Sequence, residues 1–444
     1  MKQSLVFVFQ LFVLFSVYQT KAQSDFVFSD GSDKRTFSFE AINNLIVVPV
    51  KINGVTFSFI LDSGVNRTIL FNNDLISALQ LKNKTSINLR GFSNSESIKA
   101  FKVEASLLEI DRLRSFNHEI LLLEEGNLSF SQRMGTQIDG ILGASLFKNY
   151  KITVNYNTER LRIERSQEKT ISCRKCSVLP IRFRNSKPLV SASIIQENGE
   201  TIQGDFLIDS GSSDALWLFD QHDKIEKPTS FFPDFLGIGI NGDVFGDRSK
   251  VETFRLGNFK LNQVKAAFPD SLGSYKVLVD SNRIGSIGGE LLKRFKVTFD
   301  YPNNQIVFKK TSKTFDRFYY NLSGIELQYK GESLVKEKVS SFQSRDVSEN
   351  ESQNRGIKIY LSQLYRLRFR PIIEIANLRV NSPAALAGLK EGDIITEVNG
   401  KRVGDIDLQG IMHQFQKKPG AKIKLGIMRG DVKFKYKFIL KALL

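Results

Sequence analysis

The sequence predicts a mostly β protein, with two lobes related by an internal duplication followed by a smaller β-rich module that carries two helices. Three observations predict it. The first is a repeated aspartate turn: Phe59 to Gly64 read FILDSG and Leu207 to Gly211 read LIDSG, each behind apolar, strand-like sequence. The second is a later matching block in each half, IDGILGASLFKNYKITVNYNTERLRI from Ile138 and RIGSIGGELLKRFKVTFDYPNNQIVF from Arg283. The third is an Asn-Gly pair between alternating apolar runs at the start of each half, Asn53-Gly54 and Asn198-Gly199, a strong short-range signal for a β-hairpin. Matched landmarks recurring in the same order indicate duplication.

Each later block reads as Gly-apolar-x-Gly, a short amphipathic helix, a strand, an Asn- or Pro-containing turn and another strand. Both aspartates therefore stand at the end of a hairpin's second strand, where Ser-Gly permits a tight turn on a rigid sheet. Between the landmarks the halves diverge. The first carries a short helical pattern from Asp74, and the second a Gly-rich stretch from Gly237 to Asp247. That stretch suits either a mobile hairpin over a substrate or an ordinary surface hairpin.

The expected organisation is a signal peptide at 1–22, a first lobe at 23–165, a linker at 166–180, a second lobe at 181–315 and a C-terminal module at 320–444. Within the module, the polar stretch at 340–356 reads as an exposed loop. Ser382-Pro383 opens a short helix that ends at Gly388, Gly392-Asp393 turns into a strand, and Asn399-Gly400 makes the next turn.

The N-terminus has a lysine at position 2, an apolar run from Leu5 to Val17 and a small-x-small site at Thr20-Lys21-Ala22, which is the layout of a secretory signal. The expected location is periplasmic or extracellular, with no membrane span after cleavage. Cys173 and Cys176 are the only cysteines; without a second ligand pair, and in an exported chain, a small local disulfide is the expectation. The net charge of +16 comes from lysines and arginines dispersed along the chain with no recognition motif, so nucleic acid is not an expected partner.

The residue inventory narrows the chemistry. His118, His222 and His413 are scattered, and neither a Gly-x-Ser-x-Gly elbow nor a His-Glu-x-x-His helix is present. What remains is the pair of Asp-Ser-Gly turns. If the halves pack about a twofold axis through them, two carboxylates meet, both cannot ionise, and the pair holds one proton. A water between them is then deprotonated by one carboxylate while the other protonates a scissile carbonyl, with no cofactor or metal required. Ser63 and Ser210 would hold the turns together across the axis, and Gly64 and Gly211 would let backbone N–H groups reach the carboxylates.

Residues 35 to 312 resemble the single-chain, two-lobe retropepsin and pepsin-like aspartyl peptidases. The resemblance rests on Ile60-Leu61-Asp62-Ser63-Gly64 and Leu207-Ile208-Asp209-Ser210-Gly211, and on Ile141-Leu142-Gly143 and Ser286-Ile287-Gly288. It implies Asp62 and Asp209 as the catalytic dyad of an aspartic endopeptidase acting on extended protein or peptide substrates, with Ser63, Gly64, Ser210, Gly211 and Ser212 supporting the loops. The position after Gly is Val65 in the first lobe and Ser212 in the second, so a hydroxyl donor is expected beside Asp209 only. That difference predicts an asymmetric dyad, with Asp62 the harder to ionise.

The C-terminal module resembles a bacterial PDZ domain through Ser382-Pro383-Ala384, Ala387-Gly388-Leu389, Gly392-Asp393 and Val398-Asn399-Gly400. Such modules take up an extended peptide by strand addition. No GLGF-type loop is recognisable, so peptide capture and a structural or regulatory role both stay open. The rival to an enzyme is a non-catalytic peptide-binding protein of the same fold, favoured by Val65 and Ser286. An envelope-binding basic protein is a third reading.

Overall fold

The computed structural model describes residues 25–71, 74–89, 98–123, 128–167, 173–220, 224–239, 242–270, 282–345 and 358–444. The expected signal segment therefore lies outside the described residues, apart from its immediate downstream neighbours.

Each lobe is built on a hairpin that delivers one Asp-Ser-Gly turn. In the first lobe, strands Leu45–Ile52 and Val55–Leu61 are joined at Asn53 and Gly54, whose φ angles of 47° and 90° suit a tight hairpin turn. The strands alternate so that Val48, Val50, Phe57 and Phe59 enter the core. In the second lobe, strands Lys187–Ile195 and Thr201–Ile208 pair up to Ile195 opposite Thr201. Asn198-Gly199 there sits in a wider loop closed by Gln196 N–H to the Glu200 carbonyl at 2.9 Å, because the Gln196 side chain is also drawn onto the Lys224 carbonyl.

The later blocks complete each lobe. Gly140–Leu142 runs parallel to the Asp62 strand, and Arg283–Ile287 runs parallel to the Asp209 strand. Gly140 and Gly285 are required by close approach: an added Cβ would lie 2.3 Å from the Ile69 carbonyl in one lobe and 2.2 Å from the Trp217 carbonyl in the other. The amphipathic helix expected after each block forms only in the second lobe, at Gly289–Leu292; in the first, the segment after Ala144 is a compact turn. The helical pattern from Asp74 likewise contracts to one 3₁₀ turn, Ile76–Leu79, which Gln80 ends in the left-handed region.

A third sheet joins the lobes and carries the twofold axis. Equivalent strands Tyr150–Asn155 and Phe295–Asp300 pair antiparallel, with Thr153 directly opposite Thr298. These threonines occupy the same position of the repeat, and their hydroxyls hydrogen-bond at 2.9 Å. Arg160–Arg165 and Lys34–Ser38 flank one side, and Gln305–Lys310 and Cys176–Pro180 flank the other in the same order. Part of the segment expected as a linker, 166–180, is thus an outer strand, Cys176–Pro180, which pairs with Gln305–Lys310 of the second lobe as Lys34–Ser38 pairs with Arg160–Arg165 of the first. Cys173 and Cys176 form the expected disulfide at the entrance to that strand. One continuous apolar core, from Val48 and Phe59 through Ile152 and Val297 to Phe206 and Phe254, runs through both lobes.

The C-terminal module has its own core, with helices Pro383–Leu386 and Leu408–Phe415 over a sheet. Ser382 caps the first helix by accepting the Ala385 N–H at 3.2 Å. The polar stretch expected as a loop at 340–356 is corrected in its first part. Residues 340–345 continue a strand, Ile325–Arg345, that pairs with Lys358–Leu378, and residues 346–357 lie outside the described residues. Strand pairing is made by backbone groups, so local polarity is no barrier to pairing with a distant strand. Phe232 of the second lobe packs edge-on against Tyr320 and joins the module's core, fastening the module to the lobes.

The twofold packing predicts that Gly285→Ala destabilises the protein by about 2–3 kcal/mol in denaturant unfolding, because the methyl group would force the Trp217 backbone out of the sheet.

Candidate active site

The two Asp-Ser-Gly turns meet on the axis and are locked by four crossed hydrogen bonds. Ser63 N–H donates to Ser210 Oγ at 2.9 Å, and Ser210 N–H to Ser63 Oγ at 3.1 Å. Each hydroxyl in turn donates to the backbone of the opposite strand, Ser63 to the Ile208 carbonyl and Ser210 to the Leu61 carbonyl, both at 2.8 Å. Both serines are fully buried, and the N–H and hydroxyl of each are satisfied by the other lobe. The aspartate backbones are pinned in matching fashion, Asp62 N–H to the Leu142 carbonyl and Asp209 N–H to the Ile287 carbonyl, each at 2.9 Å.

The carboxyls consequently face one another. Gly64 N–H reaches Asp62 Oδ1 at 2.6 Å and Gly211 N–H reaches Asp209 Oδ1 at 3.1 Å. A Cβ on Gly211 would lie 2.1 Å from Asp62 Oδ2, and one on Gly64 2.9 Å from Asp209 Oδ1, so only glycine admits the opposing carboxylate. Asp62 lies close enough to feel the charge of Asp209 directly. All seven site residues expected from sequence line or brace this junction, Ser212 through its backbone N–H, which donates to the Asp209 carbonyl at 3.3 Å, while its hydroxyl lies 2.9 Å from where a Gly288 Cβ would sit.

Burial pushes both carboxyls above their ordinary value, and the neighbouring charge of Asp209 pushes Asp62 further, to about 8. The two carboxyls have unequal cationic surroundings. Among the described residues no hydrogen bond joins the Ser212 hydroxyl to Asp209. The opposing pull on Asp209 comes first from Arg283 and then from Lys187. Arg283 is buried, donates from Nε to the Gly285 carbonyl at 3.3 Å and lies 5.2 Å from the Phe219 ring centre. Lys187 lines the cleft, and its own pKa is drawn down by burial and by Arg283. Sequence reasoning missed both cations: Ile138 holds the first-lobe place of Arg283, and Lys187 precedes the repeated pattern.

The dyad forms one end of a cavity of about 400 Å³. Over it lies the hairpin of Phe232–Gly239 and Gly242–Leu256, the Gly-rich stretch of the sequence. Its base is anchored by Arg248, which pairs with the buried Asp214 at 2.7 Å and the half-buried Asp234 at 2.8 Å. Lobe-one helix Leu128–Met134 and the C-terminal module complete the walls.

Comparison with known families agrees with this architecture. Residues 48–146 match the family model described as aspartyl protease, and residues 374–414 match that described as PDZ domain. No curated protein matches the chain. The protein is therefore mostly β, with an aspartyl protease domain followed by a C-terminal PDZ domain. The first match contains the Asp62 turn and the Gly140–Leu142 strand; the second-lobe counterparts lie beyond it.

Stability should report the coupling. A carboxyl whose pKa is raised on folding adds stability that is complete below its unfolded value and is lost as pH rises through the folded one. Asp62→Asn should therefore match wild type near pH 4 and exceed it in Tm by roughly 5 °C at pH 8, measured by calorimetry.

Proposed function

We propose that the protein is an aspartic endopeptidase in which Asp62 and Asp209 activate a water for attack on an extended polypeptide. The observation that supports this most strongly is the crossed serine lock, which holds two buried carboxyls within hydrogen-bonding reach of each other. At neutral pH the pair retains one proton, held on Asp62, and Asp209 carries the charge. The Asp209 carboxylate takes a proton from the water as it attacks the carbonyl carbon. Asp62 gives its proton to the carbonyl oxygen, and a gem-diol forms. Collapse of that diol returns a proton to the leaving amine, breaks the C–N bond and restores the singly protonated pair. The substrate lies extended because only a strand presents its peptide bond to both carboxyls, and the Gly-rich hairpin covers it.

The N-terminal segment directs export in this reading, with Gln23 as the first residue of the mature chain. N-terminal sequencing of protein recovered from the cell exterior checks that step.

Two experiments test the assignment. In an unbiased peptide mixture read by mass spectrometry, Asp62→Asn and Asp209→Asn should each lower cleavage by at least about a thousandfold while the fold is retained. A peptide-binding protein without catalysis would instead give no wild-type cleavage. The pH profile then tests the electrostatics. Activity should fall on the alkaline side as the pair loses its shared proton. Lys187→Met removes a cation that holds both pKa values down, so it should move that limb upward by roughly half a unit to one unit.

A further inference from the structure

The catalytic cavity does not end at the protease lobes. Its lining includes Asp62 and Asp209, Leu327, Leu408 and Met412 of the PDZ domain, and Phe130 and Met134 of the lobe-one helix. Leu327 lies on strand Ile325–Arg345, which is hydrogen-bonded along one edge only, and Leu408 and Met412 lie on helix Leu408–Phe415. A peptide added at that free edge, beside the helix, would enter the same cavity as the dyad.

The domain is fixed in that position by contacts to both lobes. Gln409 Nε2 donates to the Met134 carbonyl at 3.1 Å. Arg133 binds Asn377 Oδ1 at 2.7 Å, lies 4.9 Å from the Phe235 ring centre of the covering hairpin, and is 3.6 Å from Asp243. Arg379 of the domain reaches Asp234 at 3.4 Å and lies 4.6 Å from the Phe232 ring centre.

The end of the groove that would hold a terminal carboxylate is already satisfied. Asn321 Oδ1 accepts the N–H groups of Ser323 and Gly324 at 3.1 and 3.3 Å. Ser323 Oγ accepts the Ile325 N–H at 3.0 Å, and the Phe415 carbonyl accepts the Leu322 N–H at 2.9 Å. The next residue, Glu326, presents a carboxyl bonded to Asn321 Nδ2 at 3.2 Å, with Asp234 nearby. A chain terminus would find no spare backbone donor among these four, and the cations there, Arg379, Arg248 and Arg133, already face the acids Asp234 and Glu326.

We propose that the PDZ domain is a wall of the substrate cleft and selects an internal, extended segment by one large apolar side chain seated against Met412, Leu408 and Leu327, without recognising a free C-terminus. This rests on the cleft being the peptide site of the proposed endopeptidase, and it adds the substrate class: unfolded polypeptide with an apolar residue to one side of the scissile bond.

The test uses the full-length Asp209→Asn protein and fluorescein-labelled peptides rich in Leu and Phe, each made with a free and an amidated C-terminus, read by anisotropy. Equal affinity for acid and amide, with about tenfold weaker binding in Met412→Lys and a smaller loss in Met412→Ala, is the expected result. Thermal unfolding of each variant confirms that the domain is folded. Tenfold preference for the free acid, affinity unchanged by Met412→Lys, or no binding by any peptide would each overturn the proposal. Binding as expected alongside a wild-type protein that cleaves none of these peptides would overturn the peptidase reading and leave the wall intact.

Discussion

Four hydrogen bonds between Ser63 and Ser210 and the opposing strands are the constraint on which the site depends. A serine in each turn gives its backbone N–H to the other serine's hydroxyl and its own hydroxyl to the other lobe's carbonyl. Buried donors left unmatched would cost roughly 1–3 kcal/mol each, so the turns are far more stable together than apart. Their closeness then forces the carboxyls into one shared, poorly solvated volume, and burial sets their protonation. The shared sheet repeats the same logic lower on the axis, where Thr153 meets Thr298.

Two near-identical turns do not produce two identical acids. Arg283 and Lys187 both belong to the second half, and their field falls most heavily on Asp209. The duplication supplies the geometry of a pair, and divergence supplies its polarity. Among the described residues, Asp62 has no equivalent buried cation in its own lobe's block. The same divergence placed a glycine-rich hairpin in one lobe and a short helix in the other, so the cavity is covered from one side and walled from the other.

Much of this was legible in the sequence because it is written in short-range chemistry. The Asp-Ser-Gly turns, the Gly-x-x-Gly strands and the Ser382-Pro383 helix start each carry a local steric or hydrogen-bonding requirement, and each appears at its expected place. The misses depend on contacts between distant segments. The strand at Cys176–Pro180 exists because Gln305–Lys310 leaves an edge to pair with. The ribbon through residues 340–345 exists because its partner lies beyond the polar stretch. The unequal surroundings of the two carboxyls come from Arg283 and Lys187, which no motif marks, and not from the Ser212 hydroxyl singled out in the sequence. The union of groove and cleft was invisible for the same reason, since Met134 and Gln409 lie far apart in the chain.

The central claim is that the two carboxyls hold one proton between them at neutral pH. Isotope-edited infrared difference spectroscopy on ¹³C-aspartate protein, wild type minus Asp62→Asn, measures it directly. A protonated carboxyl stretch that persists at about pH 6, well above the ordinary range of aspartate, is the predicted result. A difference spectrum showing only ionised carboxylate at that pH would contradict the account, because Asp62 and Asp209 would then be two separate acids that happen to be neighbours.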